Sequence, residues 1–185
     1  MFTREEGAEL IRIVRKNIVN YLEKREMLHF ELPAKFQERR GVFVTLKKHG
    51  KLRGCIGFSE PIYPLEEALL SSSISAAFRD PRFPPLRGEE LSDIDLEITI
   101  LTKPQELSGK HLDFPKKIKI GEDGLMVERG YHKGLLLPQV AKEFGFNSEE
   151  FLCETCMKAG LPPDVWLEDD TKVYKFQGQI FSEKD

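Results

Sequence analysis

The sequence predicts an α+β protein in which helices flank antiparallel strands. Its 185 residues suit one domain or a domain of two lobes. An amphipathic helix comes first, and a β-hairpin follows around His49-Gly50. Further short strands precede a strand at the C-terminus, which needs a partner and is assigned to the first sheet. We therefore predict a larger lobe of residues 1–104 plus 168–185, with a smaller lobe, 105–167, inserted.

The first helix begins at a capping box, Thr3-Arg4-Glu5-Glu6. Its apolar residues then fall at helical spacing: Leu10, Ile11, Val14, Ile18 and Leu22. This pattern predicts a helix that ends near Lys24. Residues 26–40 are mixed in character and predict an ordered connection.

The stretch from Val42 to Phe58 predicts the hairpin. His49 and Gly50 tolerate the positive φ angles that a two-residue type I′ turn requires. With that turn, Leu46 lies opposite Arg53 and Val44 lies opposite Cys55. The two-residue period then puts Arg53 and Cys55 on one face, and a slip of one residue would move both to the other.

The second strand contains the hexapeptide Leu52-Arg53-Gly54-Cys55-Ile56-Gly57. Glycines inside a strand mark a bulge or the close approach of another group. One interpretation is a core strand with a structural Cys55 and an Arg53 whose head reaches water. The other is a site, because a cation beside a thiol lowers the thiol's pKa and glycines leave room for a ligand. The pattern alone favours neither.

A second helix is predicted from Pro61 to Phe78, and Asp80-Pro81 ends it. Asp80 and Arg82 then lie in a stiff loop, where they suit either an ion pair or ligand contact. The alternating strand Ile94–Ile100 follows, with Glu97 on its polar face. Because a buried arginine without a carboxylate is costly, we expect Glu97 or Asp80 to pair with Arg53.

The smaller lobe is predicted to be a meander followed by two helices. Its strands are Lys117–Ile120, Leu125–Arg129 and Gly134–Leu137, and its helices start at Pro138 and after Asn147. Asn147 and Glu150 form a second capping box. The terminal strand runs from Val173 to Phe181.

Composition excludes several classes of protein. Lys and Arg number 28 against 31 Asp and Glu, for a net charge of −3, and the absence of a basic block argues against nucleic-acid binding. Three cysteines do not make a secreted disulfide framework. The charged N-terminus argues against a signal peptide, and no apolar run reaches the roughly 20 residues of a membrane span. These features predict a cytoplasmic protein without membrane association.

Metal and cofactor motifs are missing from the sequence. Cys153-Glu154-Thr155-Cys156 is a CxxC, but it lies in a predicted helix without a second CxxC or a nearby histidine pair, which favours thiols that pack. The four histidines show no metal-ligand spacing such as HExxH. We therefore predict no metal and no cofactor, although a metal held by distant residues stays open.

The hexapeptide, the Asp80-Pro81-Arg82-Phe83 loop and the segment Gly134–Val140 resemble the AMMECR domain family, in an archaeal or bacterial member, over nearly the whole chain. The resemblance implies an α+β fold of two unequal lobes, each an antiparallel sheet with flanking helices, and a cleft that the hexapeptide faces. The family has no settled activity. Its members occur beside or fused to Memo-type proteins, which are related to iron-dependent dioxygenases, and radical-SAM proteins, and these are the expected partners.

Two functions remain open. The first is a module that captures a protein or sizeable ligand in the interlobe cleft. The second is an enzyme with Cys55 as nucleophile, for which His132, Glu97 or Asp80 would act as base. The expected binding residues are Leu52, Arg53, Gly54, Ile56, Gly57, Asp80, Arg82, Glu97 and His132. The sequence names no substrate and no oligomeric state.

Overall fold

The computed structural model describes residues 2–29 and 33–184. The chain forms two compact units, Met1–Leu101 with Gln179–Asp185 (unit 1) and Thr102–Gly178 (unit 2). Both combine helices with antiparallel strands, which confirms the α+β class. The predicted lobes with a cleft between them stay a prediction.

The elements are named in chain order. The helices are α1 (Arg4–Lys24), α2 (Leu65–Phe78), α3 (Pro138–Phe144) and α4 (Ser148–Lys158). The strands are β1 (Val42–Lys48), β2 (Lys51–Phe58), β3 (Ile94–Leu101), β4 (Gln105–Glu106), β5 (Asp123–Arg129), β6 (His132–Leu136) and β7 (Lys172–Ser182). Short 3₁₀ turns lie at Ala34–Gln37, Gly88–Asp93, His111–Lys117 and Val165–Leu167.

Unit 1 is a sheet in the order β2-β1-β3, next to which lies the last part of β7, as predicted for the terminal strand, and two helices cover one face. Val42, Val44 and Leu46 are buried on that face against apolar residues of α1 and α2. The capping box that starts α1 is present, since Glu6 N–H donates to Thr3 Oγ1 at 3.2 Å. The alternate residues of each strand point to the opposite face of the sheet.

The hairpin turn is confirmed, but its register differs from the prediction. His49 and Gly50 both have positive φ, 51° and 76°. A β-bulge next to Leu46 then shifts the pairing, so that Leu46 lies opposite Gly54 and Thr45 lies opposite Cys55. The predicted pairs Leu46–Arg53 and Val44–Cys55 were therefore wrong, because one extra residue is inserted in β2.

Gly54 directly follows the inserted residue, Arg53, and packs against helix α2. A Cβ atom built on Gly54 would lie 2.1 Å from the carbonyl oxygen of Ala76 in α2. No residue with a side chain fits at that distance, so the strand meets the helix backbone directly there.

Unit 2 contains the β5–β6 hairpin, with β4 and β5 both paired to the first part of β7. Helix α4 begins at the predicted capping box, where Asn147 Oδ1 accepts from the N–H groups of Glu149 and Glu150. Leu125, Val127 and Phe151 are buried in its core. The strand predicted over 117–120 was wrong, because a 3₁₀ turn ends at Lys117 and no strand follows before Asp123 among the described residues.

The connection predicted over 26–40 contains the 3₁₀ turn Ala34–Gln37, while residues 30–32 lie outside the described part of the chain. In the described ranges, none of the helices combines the length and the apolar character that crossing a membrane would take.

Candidate functional site

Three side chains from three strands form a row across the sheet of unit 1. Thr45 in β1 lies opposite Cys55 in β2 on one side and opposite Glu97 in β3 on the other. We call these three residues the Cys55 row. The row lies on the face opposite Val44 and Leu46, because neighbouring residues of a strand point to opposite faces. All three residues are half-buried.

The polar groups of the Cys55 row are ordered by contacts with neighbours. The Thr45 hydroxyl donates to Cys55 Sγ at 3.2 Å. The ammonium group of Lys47 donates to Glu97 Oε2 at 2.7 Å. Glu97 is therefore neutralised by a residue of the neighbouring strand and does not reach Arg53.

The backbone of Cys55 is held by the loop after α2. Cys55 N–H donates to Asp80 Oδ2 at 2.9 Å, and Arg82 Nη2 donates to the Cys55 carbonyl at 3.0 Å. Asp80 and Arg82 are joined by two side-chain hydrogen bonds of 2.9 and 2.7 Å. We call Asp80 and Arg82 the loop clamp. It takes the place of a neighbouring strand at Cys55, since β2 is paired only with β1 among the described residues.

Charge explains why the loop clamp is stable although Asp80 is only 4% exposed. The Arg82 guanidinium, aided by the backbone N–H groups of Cys55 and Arg82, holds the pKa of Asp80 well below its usual range against the effect of burial. The same ion pair raises the pKa of Arg82. Both groups stay charged, so the loop remains bonded to β2 over the ordinary pH range.

Arg53 lies in a different environment from Cys55. It is 8% exposed, and its guanidinium forms a bidentate pair with Glu90 in the 3₁₀ turn, with Nε–Oε1 at 3.1 Å and Nη2–Oε2 at 2.9 Å. Lys48 also donates to Glu90 Oε1 at 3.1 Å. The prediction that Glu97 or Asp80 would pair with Arg53 was therefore wrong.

The bulge separates Arg53 from the thiol. Lys48 shares the face of Val44 and Leu46 by strand alternation, and Arg53 meets the same carboxylate as Lys48. The Thr45–Cys55 contact lies on the other face. The guanidinium of Arg53 and the thiol of Cys55 thus lie on opposite faces of the sheet. The prediction that both lie on one face was wrong.

The other expected site residues are distributed over both units. Leu52 is exposed at the tip of β2, Ile56 packs against the core of unit 1, and Gly57 lies against the backbone of Val42 and Phe43. His132 belongs to β6 in unit 2, where its Nδ1 lies 3.3 Å from the Ala159 carbonyl oxygen. The structure brings Asp80 and Arg82 into contact with the backbone of Cys55, while Glu97 lies two strands away on the other side of Thr45.

The CxxC cysteines of α4 differ from Cys55. Cys156 is fully buried in the core of unit 2, and burial raises its pKa to about 11, while Cys153 is half-buried. A thiol with so high a pKa is a packing group at neutral pH. Within the ranges that the structure describes, no three His, Cys, Asp or Glu side chains lie close enough to hold one metal ion.

Sequence reasoning missed three residues of this region. Thr45 contacts the thiol, and Glu90 with Lys48 completes the ion-pair cluster at Arg53. The glycine at position 54 was a signal for the bulge that makes Thr45 the neighbour of Cys55. Nothing in the local pattern around Glu90 marks it as a partner for a residue 37 positions earlier.

A family model, related sequences and a solved structure each match this chain over most of its length. The AMMECR1 family model matches residues 11–181. A protein of Methanothermobacter thermautotrophicus is 54% identical over 98% of this chain and 96% of its own length. One from Pyrococcus furiosus is 51% identical over 97% of this chain and 89% of its own length. The crystal structure of an uncharacterised protein from Pyrococcus horikoshii has a TM-score of 0.79 and 49% identity, covering 96% of this chain and 91% of that one.

The mixed helices and antiparallel strands of this chain thus place it in a known class of α+β protein. The chain belongs to the AMMECR1 family. The relatives named above are archaeal, in agreement with the resemblance to an archaeal or bacterial member.

Proposed function

We propose that this protein is a binding module, and that the sheet face carrying the Cys55 row captures a protein or a sizeable ligand. The observation that carries the proposal is the row itself. A thiol, a hydroxyl and a carboxylate lie side by side and half-buried on a face that the helices of unit 1 do not cover. Polar groups of this kind give a binding surface its specificity.

Rigidity supports this proposal. The backbone at Cys55 is bonded to Asp80 and Arg82, while Thr45 lies in the central strand between β2 and β3. A surface whose groups are fixed before binding loses little conformational entropy when a partner arrives. Apolar area is available too, because Phe43 lies on the same face next to the row and is half-buried.

A Memo-type or radical-SAM protein is the partner that we propose, on the grounds of the family resemblance. The test is surface plasmon resonance with a purified Memo-type protein from the same genome. Cys55→Trp places a large ring on the row and is expected to weaken binding at least ~10-fold, since lost complementarity at the centre of an interface commonly costs more than 1 kcal/mol. Cys153→Trp, at a half-buried cysteine of unit 2, is the matched control.

Circular dichroism on each variant shows whether it remains folded. If a folded Cys55→Trp protein binds the Memo-type protein as tightly as the unchanged chain, the Cys55 row is not the binding surface. The radical-SAM protein is tested in the same way, because either partner would use the same face.

The alternative function is a cysteine-dependent enzyme. It is favoured by one observation, a half-buried thiol in the same row as a carboxylate. Cys55→Ser separates the two functions, because serine keeps the shape of the row but is a much weaker nucleophile. Unchanged partner binding with unchanged activity in cells favours the module, whereas loss of activity with intact folding favours the enzyme.

A further inference from the structure

A group of lysines lies together on the surface of unit 2. The segment 108–123, which leads into β5, carries four of them. Two more reach this segment from other elements. Lys175 Nζ of β7 donates to the Lys117 carbonyl at 2.9 Å, and a Cβ atom built on Gly121 would lie 3.3 Å from Lys142 Cδ of α3. We call the following residues the lysine patch: Lys110, Lys116, Lys117, Lys119, Lys142 and Lys175.

Carboxylates match only half of the lysine patch. Three ion pairs form, at 2.7, 3.5 and 3.3 Å respectively: Lys116–Asp113, Lys119–Glu122 and Lys175–Asp123. Among the described residues, Lys110, Lys117 and Lys142 pair with no carboxylate, and Lys117 Nζ donates to the Ser108 carbonyl instead. The patch therefore has an excess of three positive charges, or of two when the exposed Glu143 beside Lys142 is counted.

The lysine patch is accessible to a partner from solvent. The three lysines without a carboxylate are exposed, and the side chains of Lys116 and Lys119 are 78% and 70% exposed. The same segment exposes two apolar residues, Leu112 at 75% and Ile120 at 37%. The patch thus offers ammonium donors together with apolar contact area.

Charge in the remainder of the chain limits the class of partner. The net charge of the whole chain is −3, so the residues outside the patch carry a surplus of at least five negative charges. A nucleic acid or an anionic membrane extends beyond the patch and meets this acidic remainder. A short acidic segment avoids most of that repulsion, because exposed charges more than about 8 Å away are largely screened at physiological salt.

The residue type in the lysine patch points the same way. The patch contains no arginine, whose planar fork makes it the preferred residue for recognition of phosphate groups. A lysine ammonium is a point charge on a flexible stem, so it can follow carboxylates whose positions are not fixed in advance. These properties favour side-chain carboxylates over a phosphate backbone.

We propose that the lysine patch binds a short acidic segment of a partner protein. Glutamate or aspartate side chains of this segment pair with Lys110, Lys117 and Lys142, and an apolar residue of the segment contacts Leu112. The patch belongs to unit 2 and shares no residue with the Cys55 row, so this proposal and the proposed function can each fail alone.

Fluorescence anisotropy on the full chain tests the proposal with a labelled peptide that consists of glutamates and two leucines. The control peptide has glutamine in place of every glutamate. We expect saturable binding of the acidic peptide, which weakens as salt is raised because exposed ion pairs are screened. The glutamine peptide should not bind.

Charge reversal then locates the binding surface. Lys110→Glu with Lys142→Glu should weaken binding of the acidic peptide about 10-fold, because two attractive contacts become repulsive. Lys16→Glu with Lys51→Glu is the matched control, since it reverses two exposed lysines of unit 1 and changes the net charge equally. This control should bind within about twofold of the unchanged chain. Circular dichroism shows that each variant is folded.

The outcomes that overturn the proposal are distinct. One is that the acidic peptide binds no better than the glutamine peptide, and another is that the two double variants lose binding equally. A single-stranded oligonucleotide, or vesicles that contain phosphatidylserine, binding more tightly than the peptide and losing that binding in the Lys110→Glu, Lys142→Glu variant would also overturn it, since the patch would then serve another class of partner.

Discussion

The two faces of strand β2 differ in how the chain uses its polar groups. On one face Arg53 is 8% exposed and is tied to Glu90 by two charge-assisted hydrogen bonds. On the other face the Cys55 side chain is half-buried and accepts one hydrogen bond from Thr45. Removing a partner from the first face leaves a buried charge, whereas replacing Cys55 on the second face leaves no charge uncompensated.

This contrast shows that residues of one short motif differ in how much they contribute to the stability of the fold. Arg53 and Gly54 attach the strand to the 3₁₀ turn and to α2, so they contribute to stability. Cys55 contributes little to packing and stays available on its face. Variants of the two faces should therefore separate into a group that affects folding and a group that affects function.

The largest expected effect is at Arg53. Arg53→Met should lower the free energy of unfolding by about 3–5 kcal/mol, because Glu90 loses its bidentate partner while it remains mostly buried. Urea denaturation measures this change. Arg53→Met combined with Glu90→Met should recover most of the loss, since an apolar pair leaves no charge behind. No recovery in the double variant would mean that the pair does more than balance charge.

Gly54→Ala should cost about 3 kcal/mol, near the upper end of overpacking effects, since the new methyl group meets the Ala76 carbonyl oxygen at 2.1 Å. Thermal unfolding followed by circular dichroism measures the loss. Gly130→Ala is the matched control, because it has a positive φ of 59° but no atom within 4 Å. It should cost only the backbone strain of about 1–2 kcal/mol. Equal losses at both positions would contradict the direct contact between β2 and α2.

The pH dependence of stability should report Glu90. Arg53 and Lys48 lower its pKa from 4.5 to about 2. The unfolded chain therefore binds this proton at higher pH than the folded chain does, so the contribution is complete above about pH 4.5 and is lost as pH falls through about 2. It amounts to about 3 kcal/mol. Urea denaturation from pH 6 to pH 2 should show the gap between the unchanged chain and Glu90→Gln shrinking, and a constant gap would contradict the pairing.

Cys55→Ser should change the free energy of unfolding least, by about 0.5 kcal/mol or less, as for other partly exposed positions that carry no buried charge. Cys156→Ser is the comparison, because it places a hydroxyl in an apolar core and should cost about 1–3 kcal/mol. Urea denaturation of the two variants gives both values. A larger loss at position 55 than at position 156 would reverse the roles assigned to these thiols.

Much of the fold could be predicted because it depends on local signals. The capping boxes at Thr3 and Asn147 fixed the starts of α1 and α4, and His49-Gly50 fixed the hairpin turn. The bulge could not be placed from alternation alone, because a single inserted residue, Arg53, changes the register without a mark in the local apolar pattern. The strand expected over 117–120 was wrong because the four residues there alternate between basic and apolar, which is also the pattern of a short strand.

The contacts around Cys55 were predicted only in part. Asp80 and Arg82 were expected to suit either an ion pair or ligand contact, and they form an ion pair that is bonded to the backbone of Cys55. Glu90 was not expected, because an ion pair between residues far apart in sequence follows from the tertiary fold. Local sequence patterns identify candidate residues, whereas the tertiary fold determines which of those residues are in contact.

The loop clamp has one more consequence. An unpaired strand edge offers hydrogen-bonding groups to any extended chain, and such edges promote self-association into fibrils. By occupying the outward N–H and C=O of Cys55, Asp80 and Arg82 remove the pair of groups that an incoming strand would need midway along β2. The hexapeptide can therefore lie in an edge strand without promoting polymerisation of the protein through that edge.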